Sequence, residues 1–164
     1  MIAAEVIAQY DLDHPNDIDG SRKLFYLKQM EMLVMNEIIL THEIPTDLAE
    51  KIIAVIKENE EMSQLDIEDK DPVIYIGKEE KIYEPLKYFD NFDETREMIV
   101  PEPYIEVYVD YIHMRIANSL NEAKNYNAAI VKYNNSYNTF FGYWNRTYKP
   151  LSTPLKCIHH QILL

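Results

Sequence analysis

From Tyr104 to Lys149 the chain contains no proline and a single glycine, Gly142. Proline is the residue a helix interior tolerates least, so the gap between Pro103 and Pro150 marks out the longest helical region. Within it Tyr126, Ile130, Tyr133, Tyr137, Phe140 and Trp144 recur at steps of four, three, four, three and four. That is the spacing of side chains that meet along a seam between two helices. Ser119-Leu120-Asn121-Glu122 has the Ser-x-x-Glu form of a capping box, in which the hydroxyl and the carboxylate satisfy the first amides of a new helix. Two antiparallel helices, about 104–118 and 120–146, are therefore expected to form a hairpin.

The same stretch is rich in asparagine, an indifferent helix former, so propensity does not explain its composition. Tyr143, Asn127, Asn134, Asn138 and Asn145 fall off the seam and offer neutral hydrogen-bonding groups in place of charges. Such a surface suits a protein partner, because amphipathic rings add contact area while their polar tips find partners or water.

Upstream, residues 2–9 predict a short helix carrying Ile2, Val6 and Ile7 on its apolar side, broken by DLDHPNDIDG. A second helix is expected from Ser21 to about Glu43, where Leu24, Leu27, Met30 or Glu31, Val34, Ile38 and Ile39 recur at helical spacing and Pro45 ends the run. Thr46 is placed to cap a third, with Leu48, Ile52, Val55 and Ile56 as its stripe. Between residues 63 and 100 the period changes, and the short runs VIYI and KIYE around Gly77 predict a loop or a small β-hairpin excursion. The fold class is all-α: a helical bundle over residues 1–147, with a C-terminal helical hairpin and an extended arm over 148–164.

A length of 164 residues supports one core. The net charge of −12 disfavours binding of nucleic acid through its phosphates, which requires clustered Lys and Arg. Residues 147–164 hold Lys149 and Lys156 and no acid, a mildly basic tail on an acidic body. One cysteine, Cys157, excludes an intrachain disulfide framework and fits a reducing compartment. The first residues have neither a basic region before an apolar core nor the length of a membrane span.

Candidate chemistry is sparse. His159 and His160 beside Cys157 do not make a metal site, since adjacent histidines project differently and no second cluster has ligand spacing. Asp11, Asp13, Asn16, Asp17 and Asp19 approximate a calcium loop, but the alternation fails at Pro15 and no liganding Glu follows, so turn formation accounts for them better. His14, His42 and His113 are scattered, and no nucleophile-base constellation or phosphate-cradling glycine loop is present. No catalytic residue, cofactor or metal is expected, and the chain is not expected to be an enzyme.

The segments HPNDIDGSRKLFYLKQMEMLVMNEII, VPEPYIEVYVDYIHMRIA and YNNSYNTFFGYWNRTYKP, in this order, resemble short proteins from the head-tail modules of Firmicutes phages and prophages, which are similar to the head-to-tail connector adaptors of long-tailed phages. The likeness rests on Pro15, Asn16, Leu27 and Glu31. It continues in Pro101, Pro103 and Tyr104, then in Tyr126, Tyr137, Asn145, Arg146 and Thr147. It covers about residues 1–43 and 90–150. The helix near 46–62 and the run 73–84 look like an elaboration, and LSTPLKCIHHQILL has no counterpart.

The resemblance implies a virion protein of the neck, assembled in the host cytoplasm. It would form a homo-oligomeric ring, a dodecamer, between the portal protein and a tail or stopper protein. DNA would pass through its channel without specific binding, and no membrane would be involved. Tyr104, Asn127, Asn134, Asn138, Tyr143, Asn145 and Arg146 become candidate subunit or partner contacts. Lys149, Pro150, Leu151, Pro154, Leu155, Lys156, Ile158, Ile162, Leu163 and Leu164 become a candidate portal-binding arm. The alternative from the residues themselves is an acidic helical partner-binding protein, a DNA mimic or regulator, which would never assemble into rings.

Overall fold

The computed structural model describes residues 1–63, 73–76, 79–82 and 85–151, with side chains over 1–59 and 87–151. The protein is mostly helical. The described α-helices are α1 (Ala3–Asp13), α2 (Gly20–Glu37), α3 (Thr46–Ser63), α4 (Glu106–Ser119) and α5 (Ala123–Thr147). Two short strands, β1 (Val73–Ile76) and β2 (Glu79–Ile82), pair antiparallel with Val73 opposite Ile82 and Ile76 opposite Glu79. Where the sequence suggests one body over 1–147, the chain forms two compact units, Met1–Val34 with Phe92–Thr147 and Met35–Asn91 with Tyr148–Leu164.

In the first unit, α1 buries Ala3, Val6 and Tyr10. The carbonyls of Arg96 and Glu94 accept the amides of Ala3 and Ala4, both at 2.9 Å, so the donors left over at the start of the helix are satisfied by an extended segment. That segment continues the pairing through Met98 N–H to the Met1 carbonyl at 3.0 Å. The acidic stretch after α1 is a set of side-chain-closed turns. Asn16 donates to the His14 carbonyl at 2.6 Å and accepts from the Ile18 amide at 2.9 Å. Asp19 accepts from the amide and hydroxyl of Ser21 at 3.2 and 2.8 Å, which holds its carboxyl below the usual range at the threshold of α2. Lys23, itself buried, reaches Asp11 at 2.6 Å.

Glu31 is the one acid among the described residues with no solvent exposure. Its carboxylate accepts the Ile99 amide at 2.8 Å and the Tyr108 hydroxyl, while the Tyr108 oxygen accepts the Val100 amide at 3.2 Å. One buried acid on α2 thus fixes both the extended segment and the face of α4 that carries Tyr108. The ambiguity between Met30 and Glu31 in the α2 stripe resolves with both buried.

Helices α4 and α5 pack against each other, with Tyr111 and Tyr133 edge to face at 5.4 Å. The turn between them is not the expected capping box. Ser119 is the last residue of α4, and its hydroxyl donates back to the Ile116 carbonyl at 2.8 Å. Asn121 takes φ of 55°, a left-handed conformation Asn tolerates, and the amides of Asn121 and Glu122 bond the carbonyls of Asn118 and Ala117, both at 3.1 Å. The stop signal of α4, not a start signal of α5, makes this corner.

In the second unit α3 buries Ala49, Ile52, Ile53, Ile56 and Asn59, a face turned from the expected stripe, whose Leu48 and Val55 are only half-buried. It packs against the 3-10 turn Pro85–Phe89, and Asn59 donates to the Lys87 carbonyl at 2.6 Å. Helix α2 stops at Glu37, short of the expected Glu43, and a 3-10 turn at Ile39–Thr41 follows it. The Thr41 hydroxyl bonds Glu37 and Ile38 carbonyls at 3.1 and 2.9 Å, and His42 Nδ1 lies 2.8 Å from the Ile38 carbonyl.

Candidate subunit-contact surface

Helix α5 has a buried side and an exposed side, and both are written at the same spacing. Phe140 and Trp144 of the seam are buried, and Tyr126, Ile130, Tyr133 and Tyr137 are half-buried. One residue further round, Asn127, Val131, Asn134, Asn138, Phe141 and Asn145 repeat the steps of four and three, and all six are exposed. Val131 is 58% exposed and Phe141 37%. The candidate contacts Asn127, Asn134, Asn138 and Asn145 therefore share one face, and two apolar residues the sequence reading missed join them. A second four-three series offset by one position is the signal that would have found them.

No acid lies anywhere in α5, whose only charges are Lys124, Lys132 and Arg146. All three are exposed and none belongs to the stripe, with Lys132 on the side of α5 that lies near His113. In a chain of net charge −12 this is the helix from which acids are missing. The Arg146 guanidinium lies over Gly142, where an added Cβ would come within 3.2 Å of it.

Tyr104 and Tyr143 behave differently from their fellow candidates. Their rings stack on each other at 4.6 Å and 24°, with Tyr104 also 5.9 Å from Phe140. Both are half-buried, so within the unit they close the end of the α4–α5 pair, and their outer edges alone remain for a partner. A three-residue 3-10 turn, Glu102–Tyr104, delays the start of α4 to Glu106 and swings Tyr104 under α5.

In the second unit the candidate arm begins paired, not free. Glu43 N–H donates to the Lys149 carbonyl at 2.8 Å and Leu151 N–H to the Thr41 carbonyl at 2.9 Å. Pro150 faces His42 between these two bonds, a ladder position where the missing N–H of proline is not needed. Lys149 Nζ lies 3.5 Å from Glu43, with both side chains largely exposed. Pro154, Leu155, Lys156, Ile158, Ile162, Leu163 and Leu164 lie outside the described residues, as do Cys157, His159 and His160.

Comparison of the chain with family models, with curated proteins and with solved structures gave no match. Among the described residues no group of three or more His, Cys, Asp or Glu is placed to hold a metal ion, and no helix is long and apolar enough to cross a membrane.

The fold does bring together two histidines that are far apart in sequence. His14 and His113 stack at 4.1 Å and 21°, with Tyr10 5.1 Å from His14. Burial, then the neighbouring His14 and Lys132, push the His113 pKa below its ordinary 6.5, against the weaker opposing pull of Asp110 and Glu122. Burial, helped by Asp11 and Glu122, pushes the Tyr10 hydroxyl up to about 12. A histidine whose pKa is lower in the folded state binds its proton more readily when unfolded, so stability present above pH 6.5 is lost as pH falls through the folded value. Acidification from pH 7 to 5 should therefore lower the melting temperature of the protein more than that of His113→Gln. Equal slopes in thermal scans across that range would show that His113 carries no such linkage.

Proposed function

We propose that the protein is a structural virion subunit, a head-to-tail adaptor that joins portal to tail components as a ring around a channel for DNA. In this reading the helical bundle presents its antiparallel α4–α5 hairpin sideways to neighbouring subunits, and the C-terminal arm reaches the portal from Leu151 onward. The observation that carries it is the exposed stripe of α5 from Asn127 to Asn145: uncharged along its length, polar through Asn amides, with Val131 and Phe141 set into it. Ring subunits need lateral faces apolar enough to associate but too polar to aggregate as monomers, and Asn with scattered large side chains meets both demands. Acids kept off this helix would spare identical neighbours mutual repulsion, and acids lining the channel would let DNA slide without sticking.

The test is electron microscopy of the full chain mixed with the portal of its own particle, beside a chain truncated after Leu151. The cut leaves the Thr41–Leu151 hydrogen bond in place, so both chains should fold alike. The full chain should decorate the portal with a ring, and the truncated chain should not dock. A protein that stays monomeric beside the portal and instead binds a basic DNA-handling protein would replace the adaptor by a DNA mimic. Normal docking of the truncated chain would move portal attachment from the arm to the helical body.

A further inference from the structure

We propose that the stacked rings of His14 and His113 are a proton-operated clasp, whose parting, favoured by mild acid, frees the turn at residues 14–19 from α4 while the rest of the first unit stays folded. Both residues belong to that unit, so the clasp works in a single copy of the chain whether or not copies assemble into rings.

None of residues 14–19 is buried. The turn makes its hydrogen bonds with itself and with the adjoining ends of α1 and α2. His14 N–H donates to the Tyr10 carbonyl at 2.8 Å, Asn16 to the Asp11 carboxylate at 3.1 Å, and the Arg22 and Lys23 amides to the Asp19 carbonyl at 3.1 and 3.3 Å. Among the described residues, no hydrogen bond or ion pair of the turn reaches α4. What reaches α4 is the His14 ring, face to face with His113 at 4.1 Å. Helix α1 is fastened by other means, through the Ala3 and Ala4 amides on the Arg96 and Glu94 carbonyls, through buried Val6 and Tyr10, and through Asp11 on Lys23 at 2.6 Å. Parting the rings therefore releases the turn and leaves the helix in place.

Neither imidazole has a hydrogen-bond partner among the described residues. A proton added to either ring gains no acceptor there, and a second would set two cations face to face. The charged groups around the pair come from four elements. Helix α1 supplies Tyr10 and Asp11, the latter held by Lys23 of α2. Asp110 lies on α4, Glu122 just before α5 and Lys132 on α5, while the exposed Asp13, Asp17 and Asp19 flank His14 along the chain. Asp110 and Glu122 favour a proton on His113, but burial, His14 and Lys132 oppose it more strongly. The closed stack thus has its full advantage above pH 6.5 and loses it as pH falls toward the folded value of His113. Within that window one proton coupled to opening raises the open fraction about tenfold per pH unit.

Amide hydrogen exchange of the full-length protein, followed by NMR at pH 7 and pH 5.5 and corrected for the pH dependence of unprotected amides, reads the clasp. The reporters are the His14 and Ile18 amides, bonded to the Tyr10 carbonyl at 2.8 Å and to the Asn16 side chain at 2.9 Å, since both bonds lose their support when the turn comes away. Their opening should rise about tenfold on acidification, while that of residues 6–9 and of α4 stays level. This comparison needs no variant. His113→Phe keeps a flat ring against His14 but takes no proton, so its reporters should stay at the pH 7 level. His14→Ala removes the tether and should leave them open at both pH values. A rise shared equally by residues 6–9 would overturn the clasp in favour of loosening of the whole unit. An equal rise in His113→Phe would overturn it by assigning the effect to the acids of the turn, and undiminished protection in His14→Ala at pH 7 would show that the stack holds nothing in place.

Discussion

Glu31→Ala should lower the stability of the protein by about 2 to 5 kcal/mol, the cost of leaving two buried donors without their acceptor and of the space the side chain vacates. The carboxylate has no solvent exposure and accepts from the Ile99 amide at 2.8 Å and from the Tyr108 hydroxyl. Alanine would leave both donors in an interior that offers no water, at about 1 to 3 kcal/mol for each unsatisfied group. It would also open a space where the side chain was. Glu31→Gln keeps the shape and one acceptor oxygen, so it should cost less than alanine. Tyr108→Phe strands the Val100 amide, whose bond to the Tyr108 oxygen is 3.2 Å, and should fall between the wild type and Glu31→Ala. Because these groups share one network, the double variant Glu31→Gln/Tyr108→Phe should lose less than the two single losses added. Denaturant unfolding followed by tyrosine and tryptophan emission measures each term. A loss under about 1 kcal/mol for Glu31→Ala would mean that the extended segment and α4 are held by packing alone.

Glu31 also shows where the sequence stops being legible. A stripe at helical spacing marks the side of α2 that is buried, but it cannot say that an acid lies within that side. The partners that make its burial tolerable come from residues 99 and 108. The α5 seam is legible because six residues repeat one spacing and the fold honours it, with Phe140 and Trp144 deepest. The end of α2 is not, because the chain has no Gly or Pro before Pro45. The helix gives way instead to a 3-10 turn at Ile39–Thr41, around which the Thr41 hydroxyl and the His42 ring lie against the Glu37 and Ile38 carbonyls. Ser119 and Glu122 fit a start motif by spacing, yet Asn121 in the left-handed region makes the same residues a stop. His14 and His113 look scattered in one dimension and stack in three. Long-range pairing of Glu43 with Lys149, which ties down the first residues of the arm, has no local signature at all. Local periodicity thus recovers the helices, while their ends depend on short-range turn geometry at Thr41 and Asn121 and, at the start of α1, on the distant Arg96 and Glu94 carbonyls.

Trp144→Ala should destabilise the protein by about 3 to 5 kcal/mol, the usual cost of emptying a buried large aromatic site. The indole is 2% exposed and packs 5.9 Å from Phe140, which is itself fully buried and touches the Tyr104 ring. Tyr143 is the informative comparison, being adjacent in sequence but round the helix on the half-buried side. Its stack on Tyr104 adds about 0.5 to 1.5 kcal/mol beyond area burial, and with partial burial Tyr143→Ala should cost about 1 to 2 kcal/mol in all. The two losses should therefore differ by at least about 1 kcal/mol, a gap that denaturant midpoints resolve at unchanged slope. Tyr143→Phe, which keeps the stack and removes only the hydroxyl, should be close to neutral. If Tyr143→Ala instead costs as much as Trp144→Ala, the half-buried side of α5 is as much core as the seam. The contact surface would then shrink to the stripe from Asn127 to Asn145, with Tyr104 and Tyr143 no longer part of it.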